Sequence, residues 1–311
     1  KPGEVGVCQV RENRDGTLVT LVYGSAISQQ VDPVEKKPLY HFLPGSKAFS
    51  VATMGCNMQC KWCQNYQIAQ SPRTHGLMSV AHTPPEELVA SALATGCQSI
   101  AYTYTEPTIF FEYAYDTAAL ARQAGLANLY ITNGYMTAEM LDFFHPFLDA
   151  ANVDLKAFRQ RTYARYTGAR LQTVLDSLKK IKSLGIWLEI TTLVIPGVND
   201  DPIEIAEIAE FIATELGADT PWHISRFFPH YQMQDMPPTH PATLQAAQES
   251  GRQAGLNYVY IGNLAGESNT TCANCGETLI RRSGYHTGPV HIQDGSCKYC
   301  RHPIPGIWKQ N

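Results

Sequence analysis

Three cysteines stand within eight residues of this chain, at Cys56, Cys60 and Cys63. The C-x3-C-x2-C run directly follows the apolar segment 48–54 and has no fourth ligand close by in the sequence. Thiolates select zinc, copper(I) or iron–sulfur clusters, and a cubane held by three cysteines keeps one iron free for a molecule other than protein. A zinc site with a distant fourth ligand and three unrelated core cysteines are the alternatives that spacing leaves open.

A second cysteine group stands near the C-terminus, where Cys272 and Cys275 form one C-x2-C knuckle and Cys297 and Cys300 form another. Four thiolates make a closed tetrahedral site suited to Zn²⁺ at ~2.3 Å, although a rubredoxin-like iron site has the same ligands. So small a unit has little core of its own, and the bound metal would supply folding energy. The pattern predicts a structural metal site, with zinc favoured over iron.

Positioning these loops is the task of a repeating β-α pattern between residues 48 and about 264. Strands are predicted at 49–53, 99–104, 127–132, 151–155, 187–194, 222–227 and 258–261. Helices are predicted at 85–95, 110–124, 138–147, 171–184, 202–216 and 241–254. Apolar runs separated by helices indicate parallel strands covered by helices, as a doubly wound sheet or a barrel with its functional residues at the C-terminal ends of the strands.

Polar side chains collect where this rule requires them, at or near the ends of the apolar runs. They are Thr105, Glu106, Thr132, Asn133, Asp154 and Lys156, and a further candidate, His223, lies near the start of the run 222–227. Several also have a structural interpretation: Glu106 as a surface glutamate, Asn133 as part of an Asn-Gly turn, Asp154 and Lys156 as an internal salt bridge, and His223 as a buried partner.

The flanking regions and the composition limit the remaining choices. Residues 1–47 predict a hairpin turning at Gly16 and an arm on the main domain, with His41 packed beside aromatic residues. Lys1 in place of a methionine and the early Cys8 suggest a longer natural protein. A net charge of −4 without a basic stripe disfavours nucleic acid, and no run reaches the ~20 apolar residues that cross a membrane. Cysteines in metal-type clusters indicate a reducing, cytoplasmic location.

With Trp62 as its aromatic residue, the first cysteine loop resembles the cluster loop of the radical S-adenosylmethionine (SAM) enzymes. The resemblance implies an α/β fold with a partial (β/α)6-type barrel, a [4Fe–4S] cluster on Cys56, Cys60 and Cys63, and SAM bound to the free iron. It also implies anaerobic cleavage of SAM to a 5′-deoxyadenosyl radical, with a reductant such as flavodoxin or ferredoxin. The residues that it assigns to SAM are Trp62, Thr105, Glu106, Thr132, Asn133, Asp154, Lys156 and His223.

Segments 36–45 and 102–108, the Gln64-Asn65 pair and the C-terminal cysteine unit resemble the radical SAM member of the AmmeMemoRadiSam system. This branch implies Memo-like and AMMECR-like partners, and the substrate stays open between a protein, a peptide and a small molecule. A glycyl-radical enzyme activating enzyme is the first alternative, although Ile131 replaces the aspartate that such enzymes use for a cation. A non-catalytic metal-binding adaptor is the second. The predicted division is an arm at 1–47, a barrel at 48–265 and a four-cysteine metal ribbon at 266–311.

Overall fold

The computed structural model describes residues 1–309. Its centre is a sheet of eight strands in which seven run parallel and follow one another in chain order. The parallel strands are β4 (Lys47–Ala52), β5 (Ser99–Tyr102), β6 (Ala127–Thr132), β7 (Ala150–Asp154), β8 (Trp187–Val194), β9 (Trp222–Arg226) and β10 (Val259–Gly262). Because sequential right-handed crossovers place their helices on one side, the other side of the sheet is left to form the interior of an open barrel.

Helices connect these strands and cover the sheet. They are α1 (Tyr66–Ala69), α2 (Ser71–His75), α3 (Pro85–Ala94), α4 (Phe111–Gln123), α5 (Ala138–Phe144), α6 (Gln160–Thr167), α7 (Leu171–Ser183), α8 (Pro202–Phe211) and α9 (Pro241–Gln253). A π-helical turn at Ile212–Leu216 extends α8, which completes the segment predicted as one helix. Helix α5 ends at Phe144, three residues before the predicted end, because Pro146 has no backbone N–H to continue the helix.

The N-terminal region departs from the predicted arm. A hairpin of β1 (Arg11–Arg14) and β2 (Thr17–Thr20) turns at Gly16, as expected. The following segment, β3 (Ser28–Pro33), then pairs antiparallel with β4 over six residues and becomes the edge strand of the central sheet. Its polar sequence has no alternation that indicates a strand, and Pro33 lies at the strand end, where a missing N–H is tolerated.

Residues 270–309 form a small β unit. Strands β11 (Thr270–Thr271), β12 (Thr278–Ser283) and β13 (His286–Val290) make one antiparallel sheet, and β14 (Ile292–Gln293) pairs with β15 (Ser296–Cys297). Its buried residues share a core with Tyr40, Tyr258 and Tyr260, so this unit is packed against the chain's N-terminal segment and the last barrel strand. The last two residues of the predicted ribbon, 310–311, lie outside the described chain. Among residues 1–309, no helix is long and apolar enough to cross a membrane.

Candidate active site and four-cysteine metal site

A cavity of about 730 Å³ opens at the C-terminal ends of the parallel strands. All eleven residues that the sequence predicted for the cluster and for SAM line it: Cys56, Cys60, Trp62, Cys63, Thr105, Glu106, Thr132, Asn133, Asp154, Lys156 and His223. They come from segments as far apart as the loop after β4 and the strand β9. The parallel order of the sheet therefore brings the predicted residues together, and their roles remain predictions.

The three cysteines of the first loop all line the cavity. Among the described residues, the C-terminal cysteines form a group whose ligand atoms lie close enough together for one metal ion, and the first-loop cysteines form no such group. Four thiolates at ~2.3 Å from one ion would lie about 3.8 Å apart, whereas each thiolate of a cubane binds a different iron. Burial raises the pKa of Cys60 to about 11 and also raises the pKa of Cys56, so a bound cation is needed to favour the thiolates.

Hydrogen bonds fix the backbone of this loop. The Arg73 guanidinium donates to the carbonyl of Cys56 at 2.7 Å, to that of Met58 at 3.2 Å and to that of Val7 at 2.9 Å. The backbone N–H of Met58 and the amide of Asn133 both donate to Cys56 Sγ, at 3.4 and 3.7 Å. Donors of this kind orient a ligating thiolate and tune the metal that it holds.

Glu106 is buried, and its carboxylate is already largely bonded. Oε1 accepts from the backbone N–H and the hydroxyl of Thr108 and from the Thr132 hydroxyl, at 3.1, 2.6 and 2.7 Å. Oε2 accepts from the Asn133 N–H at 2.8 Å. Each carboxylate oxygen has about two lone-pair positions. Oε1 is therefore fully occupied, and Oε2 keeps about one position for a ligand. The surface interpretation of Glu106 is wrong, because the side chain ties the ends of β5 and β6 together from inside.

Asp154 and Lys156 form the ion pair that was the alternative to a ligand-binding role, with Lys156 Nζ 2.7 Å from Asp154 Oδ2. Burial opposes the charge on Lys156, but Asp154 and the nearby Cys60 outweigh it and raise the lysine pKa. Both side chains also line the cavity. The pair is therefore a salt bridge placed beside the first cysteine loop, which is compatible with either role.

Trp62 and Thr105 are held by the protein as well. Trp62 is buried and packs with Ile195, Phe227 and Met233 under the cysteine loop. The Thr105 hydroxyl donates to the carbonyl of Thr53 at 2.9 Å. Both residues border the cavity, so contacts within the protein position these parts of the wall.

His223 has a partner that sequence reasoning missed. Its Nε2 lies 2.6 Å from Oε2 of Glu189, which is fully buried. Glu189 also accepts the backbone N–H groups of Tyr40 and His41 and the indole N–H of Trp187. A glutamate in the middle of the apolar run 187–194 was the signal that could have identified it, because an ionised group in a buried strand requires partners.

His41 is packed, as its aromatic neighbours predicted. It is fully buried among Trp187, Tyr258 and Trp308, and Nε2 lies 2.6 Å from the Tyr260 hydroxyl. Burial lowers the pKa of His41 to about 4. The ring is therefore a neutral structural group away from the cavity wall.

The C-terminal cysteines have the spacing of a single-ion site. Cys272 and Cys300 have their sulfur atoms 3.6 Å apart, those of Cys275 and Cys297 are 3.8 Å apart, and all four lie within 4.8 Å of one another. These distances match the edges of a tetrahedron of thiolates around one ion with ~2.3 Å bonds. The donor set thus fits one metal ion with no open coordination position, and four thiolates suit zinc or iron.

Residues 50–212 match the model of the radical SAM superfamily. An uncharacterized protein of Methanocaldococcus jannaschii is 42% identical over 308 residues, which cover 98% of this chain and 91% of that protein. A putative glycyl-radical enzyme activating enzyme of the same organism is 26% identical over 190 residues, covering 58% of this chain and 68% of that protein.

A solved structure shares the fold. The Streptococcus suis protein SuiB, in a crystal structure bound to S-adenosylmethionine, aligns with a TM-score of 0.55 at 12% identity, covering 74% of this chain and 53% of that one. The matched segment 50–212 contains the first cysteine loop and the strand ends from β5 to β8 that line the cavity. Because the family model matches more than half of the sequence, the chain belongs to the radical SAM superfamily.

Proposed function

We propose that this protein is an enzyme that holds a [4Fe–4S] cluster on Cys56, Cys60 and Cys63 and reductively cleaves SAM there. Membership of the superfamily implies both cofactors. When bound, they supply one-electron chemistry that yields methionine and a 5′-deoxyadenosyl radical able to abstract hydrogen from a substrate. The observation that carries the proposal is that three thiols of one short loop line the same cavity as the eight residues predicted for SAM.

The remaining wall residues are proposed to bind and orient SAM. Lys156 Nζ has three N–H donors, and the one hydrogen bond found for it within residues 1–309 goes to Asp154, so its other donors are available to a carboxylate. Glu106 keeps about one lone-pair position on Oε2 for an ammonium group. Asp154 is about two-fifths exposed and can accept from ribose hydroxyls.

Three further wall residues would act mainly by holding this arrangement. Thr132 and Asn133 fasten Glu106, and Asn133 also reaches Cys56 Sγ. His223 is oriented by Glu189.

Within the superfamily, we propose that the protein belongs to the AmmeMemoRadiSam branch. The sequence motifs in segments 36–45 and 102–108 support this proposal. The C-terminal unit also supports it, and we propose that its four cysteines bind structural zinc. The partners proposed with it are a flavodoxin or ferredoxin reductant and Memo-like or AMMECR-like proteins. We also keep the division into an arm at 1–47, a barrel at 48–265 and a ribbon at 266–311 as a proposal, with β3 of the arm completing the barrel sheet.

A glycyl-radical enzyme activating enzyme is the second candidate, because one relative with that putative name is 26% identical over 190 residues. It would transfer the radical to a glycine of a partner protein, which electron paramagnetic resonance would detect. Ile131 lines the cavity where such enzymes carry an aspartate, and this apolar side chain cannot bind a cation. A non-catalytic adaptor is disfavoured because three thiols and the Asp154–Lys156 salt bridge converge on one cavity.

The test is anaerobic. The protein is reconstituted with iron and sulfide, reduced with dithionite and given SAM, and 5′-deoxyadenosine is quantified. We expect deoxyadenosine from the native protein and from Cys97→Ala, which removes a buried cysteine outside the cavity. The triple variant Cys56→Ala, Cys60→Ala, Cys63→Ala should produce none. Intact SAM in the presence of an assembled, reduced cluster would refute the proposal.

A further inference from the structure

One part of the cavity wall is built by segments outside the β-α repeat. Residues 35–38 and Tyr40 of the N-terminal region line it, as do Ser268, Gly284 and Tyr285 of the C-terminal unit. This part holds a concentration of buried charge that the SAM assignment does not use. Lys36 and Lys37 both form ion pairs with Asp32, at 2.8 and 2.6 Å.

Asp32 is largely occupied by the protein. Its Oδ2 accepts hydrogen bonds from Lys37, the Ser50 hydroxyl and the Tyr104 hydroxyl, and its Oδ1 accepts one from Lys36. Each carboxylate oxygen has about two acceptor positions, so about one position on Oδ1 is left. Burial opposes the charge on Asp32, but the bonds from both lysines outweigh it and hold the pKa well below its usual range. The group is thus an anion that the protein itself holds in place.

The two lysines, in contrast, have donors to spare. Each ammonium has three N–H groups, and the one hydrogen bond found for each within residues 1–309 goes to Asp32. Lys37 is buried, with 2% of its side chain exposed, and it lines the cavity. This part of the wall therefore offers N–H donors to a cavity ligand.

The three side chains carry an excess of one positive charge, because two ammonium groups face one carboxylate. Lys36 is 42% exposed, so water solvates part of its charge, whereas Lys37 and Asp32 are buried. Glu35 also lines the cavity; its Oε1 accepts from Gly45 and Thr287 and lies 3.9 Å from Nε of the buried Arg282, and its Oε2 has no partner among the described residues. Burial lowers the pKa of Lys37 to about 8, because removing an ammonium group from water is costly. An anion beside Lys37 would offset that cost.

Asp32, Lys36 and Lys37 form a charged corner of the cavity. Tyr104 connects this charged corner to the first cysteine loop. Its ring centroid is 4.4 Å from Lys37 Nζ, and its carbonyl accepts from the amide of Asn65 at 2.7 Å, two residues after Cys63. Its backbone is left-handed at φ 64°, a conformation that costs a non-glycine residue about 1–2 kcal/mol. The fold maintains this strained residue where the charged corner and the loop meet, and such strain is typical of ligand sites.

We propose that Lys36 and Lys37 bind an anionic group of the substrate, a carboxylate or a phosphate, inside the shared cavity. The identification of the bound anion as part of a substrate rests on the proposed function. Anion binding by these two lysines can be measured without any turnover. The excess positive charge, the unused donors and the continuity with the cysteine loop together identify the chemistry of the ligand as an oxyanion.

The experiment uses the cluster-loaded protein, unreduced and saturated with SAM, so that the Lys156 region is already filled. Inorganic phosphate and acetate are titrated separately by calorimetry into the native protein and into Lys37→Met, Lys36→Met and Lys47→Met. Lys47→Met is the matched control, because Lys47 is exposed at the opposite, N-terminal end of β4. SAM affinity is measured on every variant by equilibrium dialysis.

We expect at least one of the two anions to bind, and the preferred one identifies the group. Its affinity should fall about tenfold or more in Lys37→Met, which corresponds to ~1.4 kcal/mol. It should fall severalfold in the more exposed Lys36→Met and stay unchanged in Lys47→Met, and SAM affinity should stay within about twofold.

Three results would overturn the inference: no binding of either anion, equal binding by all variants, or a parallel loss of SAM affinity, which would assign the lysines to the cofactor. Lys36→Met keeps the test decisive if Lys37→Met does not fold. Absence of deoxyadenosine in the turnover assay, with lysine-dependent anion binding intact, would refute the proposed reaction and leave the anion site standing.

Discussion

Glu189 connects three segments of the molecule, and its replacement by glutamine tests how much that connection contributes to stability. Oε1 accepts from the His41 N–H and the Trp187 indole, at 2.8 and 3.0 Å. Oε2 accepts from the Tyr40 N–H at 3.0 Å and lies 2.6 Å from His223 Nε2. Glu189→Gln keeps the shape of the side chain and replaces one acceptor atom by an NH₂ group.

The magnitude follows from these four partners. In one amide orientation, the NH₂ group faces the N–H groups of His41 and Trp187 and leaves both without an acceptor. In the other it faces Tyr40 and His223; the imidazole can present its other tautomer and accept, so Tyr40 N–H alone is left unpaired. An unpaired buried donor costs about 1–3 kcal/mol, and a bond to a charged group contributes about 1.5–3 kcal/mol. The expected loss in the free energy of unfolding is therefore on the order of 3 kcal/mol.

The assay is urea unfolding of proteins with equal metal content at neutral pH. The matched control is Glu207→Gln, because Glu207 pairs with Arg159 while both side chains are more than a third exposed, and such pairs contribute about 1 kcal/mol or less. A loss below about 1 kcal/mol for Glu189→Gln, or one equal to the control, would refute the reasoning. It would mean that water or movement of the segment at Tyr40 satisfies the donors.

Three further changes have definite expected outcomes. The pKa of His41 is lowered to about 4 from an unfolded value near 6.5, so the unfolded state binds more protons between these pH values. The free energy of unfolding should therefore fall by up to ~3 kcal/mol as the pH drops from 6.5 to 4. Urea midpoints measured over this range should fall less in His41→Gln than in the native protein. Cys297→Ser should remove the metal of the C-terminal site and raise amide exchange in β12, whereas metal analysis of Cys97→Ser should be unchanged. Gly55→Ala should destabilise the protein by about 1–3 kcal/mol and reduce iron uptake, because the new Cβ would lie 2.9 Å from Val10 and 3.0 Å from the Cys8 carbonyl. Gly168→Ala is the control, because Gly168 also has a positive φ but has open space around it. This variant should lose only the free energy of backbone strain, about 1 kcal/mol.

The features that the sequence predicted well are those that local pattern determines. Strands β6 and β8 begin and end at the predicted residues, because each is an apolar run bounded by turn signals. The cavity residues were predictable because parallel strands place their C-terminal ends at one edge. The two C-x2-C knuckles indicated the four-cysteine group, whose sulfur atoms lie within 4.8 Å of one another, whereas the cluster on the first loop stays a prediction.

What the sequence could not show depends on contacts between distant segments. Strand β3 has a polar edge sequence, and only its pairing with β4 reveals it. The environment of Glu106 rules out the alternative of an exposed carboxylate, because the side chain is buried and Thr132 and Asn133 donate to it from the next strand end. The charged corner joins Asp32 to Tyr104, 72 residues away, and no periodicity links two such positions.

The C-terminal metal unit has a role in this arrangement that does not require chemistry at its metal. Arg282 donates to the Tyr40 carbonyl at 2.7 Å and lies 4.4 Å from the centre of the Tyr40 ring, and the Thr287 hydroxyl donates to Glu35 at 2.6 Å. These bonds hold both ends of the segment that carries Lys36 and Lys37. Because the unit has little core apart from its cysteines, loss of its metal should also release this segment. Increased amide exchange at 35–41 in Cys297→Ser would show that coupling, and protection there equal to the native protein would show that the barrel alone positions the lysines.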